Sequence, residues 1–203
     1  MRVIVMRIAV LSDSHGALAN ISRALEIAHP IDLICFAGDG CRDIERWLSE
    51  DSCDECGGDY GQGCMSGGSN GWGRERDDSR SHARSRSRIM TEIVLGNCDF
   101  AGDYPLEVVF PAGGMRILMT HGHYYNVKSG YQRLVYRAEE LQADAVIFGH
   151  THIPEYTQIN GIWLINPGSI SSAGSYGKPS FAVVEIKDGQ IDVQLQILGS
   201  SAD

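Results

Sequence analysis

No stretch of this chain approaches the roughly 18 consecutive apolar residues of a membrane-spanning helix. Basic residues do not dominate either: 17 Lys and Arg stand against 26 Asp and Glu, a formal net charge of −9. That balance disfavours a long nucleic acid or an anionic membrane as the main partner. The start, Met1 to Ile8, lacks an apolar core followed by a small-residue cleavage site and runs straight into a strand pattern, so no signal peptide is expected. The expected setting is cytoplasmic, where the six cysteines are read as free thiols rather than disulfides. There is no internal repeat and no clear boundary along the 203 residues, which read as a single domain, 1–203, with a full core.

One further scarcity is local. Between about residues 50 and 88 aliphatic side chains almost vanish, glycines interrupt any period, and Arg84, Arg86 and Arg88 alternate with serines. Such a segment buries too little apolar surface to order itself, and it reads as a disordered, low-complexity insertion. Cys53, Cys56, Cys64 and His82 within it lack the second paired half of a zinc knuckle. The arginine–serine run sits beside Glu75, Asp77 and Asp78 and reads as a solvated charge run.

The rest of the chain is strongly patterned. Strands are expected at 7–11, 31–36 and 91–95, with a helix at about 17–28 and a second, shorter one marked by Ile44, Trp47 and Leu48. Downstream, 106–110 and 115–119 flank Ala112-Gly113-Gly114, 153–159 and 162–165 flank Asn160-Gly161, and 181–186 and 191–198 flank Asp188-Gly189. Each is a hairpin signal. A helix over about 129–142 precedes a strand ending at Phe148, and Asn166-Pro167-Gly168-Ser169 reads as a loop. The first half is βαβ-like and the second hairpin-rich, which predicts an α/β protein of packed sheets with helices outside.

Residues that ligate metals gather where these strands end: Asp13 and His15, Asp39, Asn97, His121, then His150 and His152. Ligands collect at the carboxyl ends of strands in such folds. In extended backbone, residues two apart face the same side, so His150 and His152 are expected to address one region of space. Singly, each loop is a weak signal, because a lone histidine or a Gly-Asp pair is usually structural. Five in order, each after an apolar strand, are a strong one. Seven oxygen and nitrogen ligands exceed one tetrahedral zinc and suit two divalent ions sharing a carboxylate. Two such ions about 3.5–4 Å apart can hold a hydroxide between them and engage a phosphate.

The motifs Asp13-Ser14-His15, Gly38-Asp39, Gly96-Asn97-Cys98-Asp99, Thr120-His121-Gly122-His123 and Gly149-His150-Thr151-His152 resemble those of the calcineurin-like metallophosphoesterase superfamily. The length, the Gly-Asn-Cys-Asp variant and Asn166-Pro167-Gly168-Ser169 look like its small prokaryotic phosphodiesterase branch. The resemblance covers nearly everything outside 50–88. It implies a four-layer α/β/β/α sandwich and a phosphoric diester hydrolase with two divalent ions, Mn²⁺ first among Mn, Fe, Zn, Ni and Mg. It assigns one ion to Asp13, His15, Asp39 and His152, and the other to Asp39, Asn97, His121 and His150. The expected partner is a small phosphodiester, with no membrane, no long nucleic acid and room for a homo-oligomer.

Two features depart from the family pattern. Many members carry His after the motif Asn, where it protonates the leaving group. Here Cys98 stands there, a poor general acid. That role then passes to His123, to water, or to nothing; the catalytic residues are read as His123 and Asn97, with a structural role for His123 weighed equally. The insertion between Asp39 and Asn97 is the second departure, and it is read as inert. The other functions weighed are a non-catalytic scaffold, as in a retromer subunit of this fold, and a phosphomonoesterase or nuclease of the superfamily.

Overall fold

Alternate residues of the first strand go to opposite faces, and that alternation builds the layers. In β1 (Val5–Leu11), Ile8 and Val10 enter one buried cluster while Ala9 and Leu11 enter another. β2 (Leu33–Phe36) repeats the division, with Leu33 and Cys35 inward and Ile34 and Phe36 outward. The structure is a computed structural model and describes residues 5–49, 89–100, 102, 104–171 and 177–199. The stretch read as a disordered insertion, with its cysteine and arginine–serine motifs, lies outside the described residues.

Ile21, Ala24, Leu25 and Ala28 of α1 (Leu18–Ala28) recur at helical spacing and bury against the outer face of β1 and β2. Ile44 and Trp47 of α2 (Cys41–Ser49) join them. The remaining elements are β3 (Met90–Ile93), β4 (Glu107–Ala112), β5 (Met115–Thr120), α3 (Gln132–Glu140), β6 (Ala145–Ile147), β7 (Pro154–Ile159), β8 (Ile162–Pro167), β9 (Ser180–Lys187) and β10 (Gln190–Ile197). The first sheet runs β10-β9-β1-β2-β3 and the second β4-β5-β6-β8-β7. Both are mixed: β1, β2 and β3 are parallel to one another, as are β5, β6 and β8, with antiparallel neighbours outside them.

Inward residues of both sheets form the central core, including Ile8, Val10, Ile117, Met119, Ile147, Ile165 and Val184. A third cluster, with Leu118, Val146 and Leu164, sits between the second sheet and Leu134, Val135 and Ala138 of α3. Three apolar layers between four layers of secondary structure give the expected α/β/β/α sandwich.

Several strand ends shift by one or two residues from those the sequence predicts, and two differences are larger. The helix expected over 129–142 is confined to Gln132–Glu140 because Gly130 (φ +140°) and Gln142 (φ +52°) leave the right-handed region on either side. Asn166 and Pro167 are not loop: they continue β8, opposite Glu155 and Pro154. The hairpins at Gly113-Gly114, Asn160-Gly161 and Asp188-Gly189 form where their turn chemistry placed them.

Candidate metal centre

The parallel strands β1, β2 and β3 end at one edge of their sheet, and β5 and β6 end beside them. Backbone bonds tie the loops together: Asp13 N–H donates to Gly38 O (2.9 Å), Ser14 N–H to Asp39 O (2.9 Å) and Gly149 N–H to His121 O (3.2 Å). All seven sequence-predicted ligands lie in these loops. Two groups have ligand atoms mutually within 4.8 Å: Asp13, His15 and His152, and Asp39, His121 and His150. Asn97 joins the second through its Oδ1, 3.2 Å from His121 Nε2.

The route by which His150 and His152 converge is not the expected one. Both have positive φ, +66° and +59°, so the period-two rule of extended backbone does not apply to them. The loop instead turns through left-handed residues and sends one ring to each group. Asp13, His15 and Asp39 also have positive φ, between +42° and +57°. Five strained non-glycine residues in one small region are a mark of a functional site.

The rings and carboxylates face one another across short distances. His121 Nδ1 lies 2.7 Å from the carbonyl of Ala37, which fixes that nitrogen as the donor and leaves Nε2 for a ligand. Around Nε2 stand Asn97 Oδ1 and His150 Nδ1 at 3.2 Å and Asp39 Oδ2 at 3.3 Å. One proton cannot satisfy that many acceptors, whereas a cation can. Asp13 Oδ2 accepts from Ser12 Oγ (2.5 Å) and from His150 N–H (3.1 Å). Asp13 Oδ1 is buried with no hydrogen-bond partner and lies 3.0 Å from His152 Nε2. An orphaned carboxylate oxygen beside two imidazoles fits a divalent cation.

The charges are tuned to match. Burial works to raise the Asp39 carboxyl, but His121 and the Cys98 N–H bond on Oδ1 (2.7 Å) hold it well below the usual range. Burial works to lower His121, yet Asp39 and Asp13 beside it raise it. Burial, with His121 and Lys128 nearby, pushes His150 down to about 4, so it is neutral and ready to ligate at ordinary pH. Glycine is required for one close approach: a Cβ on Gly149 would lie 1.9 Å from Ser12 Oγ.

His123 opens a 3-10 turn, His123–Tyr125, with its ring centroid 5.3 Å from His121 and 6.1 Å from His150. Its Nδ1 is buried without a hydrogen-bond partner. Cys98 is exposed, and burial of its sulfur and the neighbouring Asp39 raise its pKa, so it stays a thiol.

Several organising side chains carried no role in the sequence reading. Asp99 accepts from four backbone amides, those of Asp39, Gly40, Cys41 and Gly96, at 2.8–2.9 Å. It staples the Asp39 loop to the Asn97 loop. Asp43 accepts from Ser14 Oγ and Gly16 N–H and holds the His15 loop. Asn166 donates to Gly149 O and Thr151 Oγ1, both at 3.0 Å, and fixes the histidine loop. Thr151, between the two histidines, points into that bond. Asp and Asn close to ligands were the available signal, but their partners are far in sequence.

A family model described as the calcineurin-like phosphoesterase superfamily domain matches residues 77–189, more than half of the chain. The chain belongs to this superfamily. A probable metallophosphoesterase, YsnB of Bacillus subtilis (strain 168), is 38% identical over 117 residues, 58% of this chain and 69% of that protein. The phosphodiesterase YfcE of Escherichia coli (strain K12) is 31% identical over 121 residues, 51% of this chain and 61% of that one. A solved predicted phosphoesterase from Streptococcus pneumoniae TIGR4 superposes with a TM-score of 0.65 at 27% identity, covering 96% and 90% of the two chains. Vacuolar protein sorting 29 from Cryptosporidium parvum shares the fold alone, at 19% identity and TM-score 0.64 over 97% and 99% of the chains. The Asp13 and Asp39 loops precede the segment matched by the family model, so their membership of the site rests on the geometry above. No helix among the described residues is long and apolar enough to cross a membrane.

Proposed function

We propose that this metallophosphoesterase is a metal-dependent phosphodiesterase, a single domain acting on a small phosphodiester. The observation that carries the reading is the pair of ligand groups sharing one strand-end edge, Asp13, His15 and His152 beside Asp39, His121, His150 and Asn97. Two divalent ions, manganese first, would be held by these residues, with Asp39 as the shared carboxylate. When bound, they would supply Lewis acidity and a nucleophile from water at neutral pH.

The chain's own groups do the rest. The buried carboxylates of Asp13 and Asp39 offset cationic charge in a region largely closed to water. The Asn97 amide adds a neutral oxygen. Its place at the mouth of the site suits it to orient a phosphoryl oxygen. His123, beside both His121 and His150, is assigned the proton at the leaving oxygen. With Cys98 in place of a second imidazole, diesters with good leaving groups are favoured.

The test is metal analysis of the purified protein together with turnover of aryl diesters, monoesters and cyclic nucleotides under Mn²⁺. Diester turnover with about two metals per chain supports the reading. Monoester preference, or no turnover with any divalent metal, overturns it, and the second result favours a scaffold of the same fold.

A further inference from the structure

The metal-ligand groups occupy only one end of a larger hollow. A cavity of about 300 Å³ starts at His15, Asp39 and Cys98 and continues to Arg42, Phe100 and Tyr104. Its size is at the small end of ligand sites, enough for one ring system and its link to phosphorus but not for a run of nucleotides. Phe100 is 78% exposed, an unusual placement for a phenyl ring that packs against no core. The Arg42 guanidinium sits 5.3 Å above the centre of that ring. Arg42 comes from the first turn of α2 and Phe100 from the loop after Asp99, so the pair joins two separate elements across the cavity. A guanidinium over an aromatic face is the arrangement on which further planar groups stack, because both partners present flat, polarisable faces.

Resting on the phosphodiesterase reading, we propose that Arg42 and Phe100 form a subsite for a planar aromatic ring on the ester, so that the preferred substrates are aryl or nucleoside diesters rather than alkyl ones. Leu95 and Tyr104 supply an apolar wall, and Glu45 closes the cavity with a charge that disfavours a second anionic group there. The cavity opens directly onto Asp39 and His15, so a ring stacked on the Phe100–Arg42 pair leaves the phosphorus at the ligand groups. Arg42 and Phe100 are specificity residues in this scheme, and the chemistry remains with the metal ligands.

The experiment uses the Mn²⁺-loaded full chain and two probes, phenylphosphonate and methylphosphonate. They differ only in the ring. Each is measured as a competitive inhibitor of diester hydrolysis and by direct titration calorimetry. Phenylphosphonate is expected to bind about tenfold more tightly than methylphosphonate, within the range of a single aromatic stack. Phe100→Ala should bring that ratio close to one, Phe100→Leu should restore little of it, and Phe100→Tyr should restore most of it. Arg42→Ala should reduce the ratio by a smaller factor. Equal affinities in the native chain, or a ratio that survives Phe100→Ala, overturn the subsite. Failure of the phosphodiesterase reading looks different: no diester is hydrolysed, while calorimetry still reports whether the ring is recognised.

Discussion

The two ends of the sandwich both use left-handed backbone, but they place it on different residues. At the far end the hairpin turns put it on Gly113, Gly114, Asn160, Gly161, Asp188 and Gly189. Four of these six are glycine, which adopts positive φ without steric cost, and the other two complete the Asn-Gly and Asp-Gly turns. The two outer turns even meet, Gly189 N–H donating to Gly113 O. At the strand-end edge the same region of φ falls on Asp13, His15, Asp39, His150 and His152. Each such residue costs on the order of 1–2 kcal/mol relative to its relaxed conformation. One end is therefore built for stability and the other is held in place against local preference. What holds it is the long-range bonding of Asp99, Asp43 and Asn166.

The largest expected effect lies at the strained end and falls on activity. His121→Ala and Asp39→Asn each remove a buried group on which several acceptors or donors converge. Each should lower diester turnover by more than about a hundredfold, beyond what loss of an outer hydrogen bond gives. The melting temperature of metal-free protein should also fall, because each change breaks the buried Asp39–His121 pair and leaves one partner behind, but the chain should stay folded. A turnover loss accompanied by unfolding in circular dichroism would show that these residues belong to the core rather than to a site.

Asp99 comes next. It touches no predicted ligand atom, yet its carboxylate carries four amides from two ligand loops. Asp99→Asn leaves one acceptor oxygen and turns an amino group toward N–H donors. Metal affinity and turnover should fall by about 10–100-fold, the range for groups that position ligands. Chelator competition reads the affinity directly. An unchanged affinity would mean the loops hold their left-handed residues without this staple.

This contrast also explains what could be read in the chain and what could not. The alternation in β1 and β2, the spacing of Ile21, Ala24, Leu25 and Ala28, and the Asn-Gly and Asp-Gly turns are local patterns, and they placed the layers and hairpins well. The ligands were legible because metals demand particular side chains after strands. The backbone of the histidine loop was not, because it contradicts local preference: a rule for extended chain was applied where φ is positive. Asp99 and Asn166 escaped for the same reason, since their partners are backbone groups that only the folded chain brings near. Helix α3 was drawn too long because Tyr131 and Leu141 keep its apolar pattern beyond the residues that keep its dihedrals.

The turn end should answer mutation in the opposite way. A Cβ at Gly161 would meet nothing within 4 Å, so Gly161→Ala isolates the cost of φ +84° from any clash. It should destabilise by about 1 kcal/mol, or roughly 2–4 °C in a chain of this size. Turnover and metal affinity should not change. A loss of activity as large as the loss of stability would show that the two ends are coupled.

The smallest effect is the most diagnostic, because its sign is reversed. His15 is exposed and has φ +42°, a conformation that glycine adopts freely. Its ring packs at 5.5 Å from that of His152, a contact that contributes little across such a distance. His15→Gly should therefore raise the melting temperature of the metal-free protein slightly. The relief of left-handed strain, about 1 kcal/mol, is partly offset by the greater freedom that glycine gives the unfolded chain. The same change removes a ligand from the more exposed group, so metal-dependent turnover should drop while stability rises. Scanning calorimetry with and without Mn²⁺ separates the two: the metal should raise the native protein's melting temperature by more than the variant's. If His15→Gly lowers stability without metal, then the left-handed loop is comfortable as built, and the strain at this end rests on Asp13, Asp39, His150 and His152 alone.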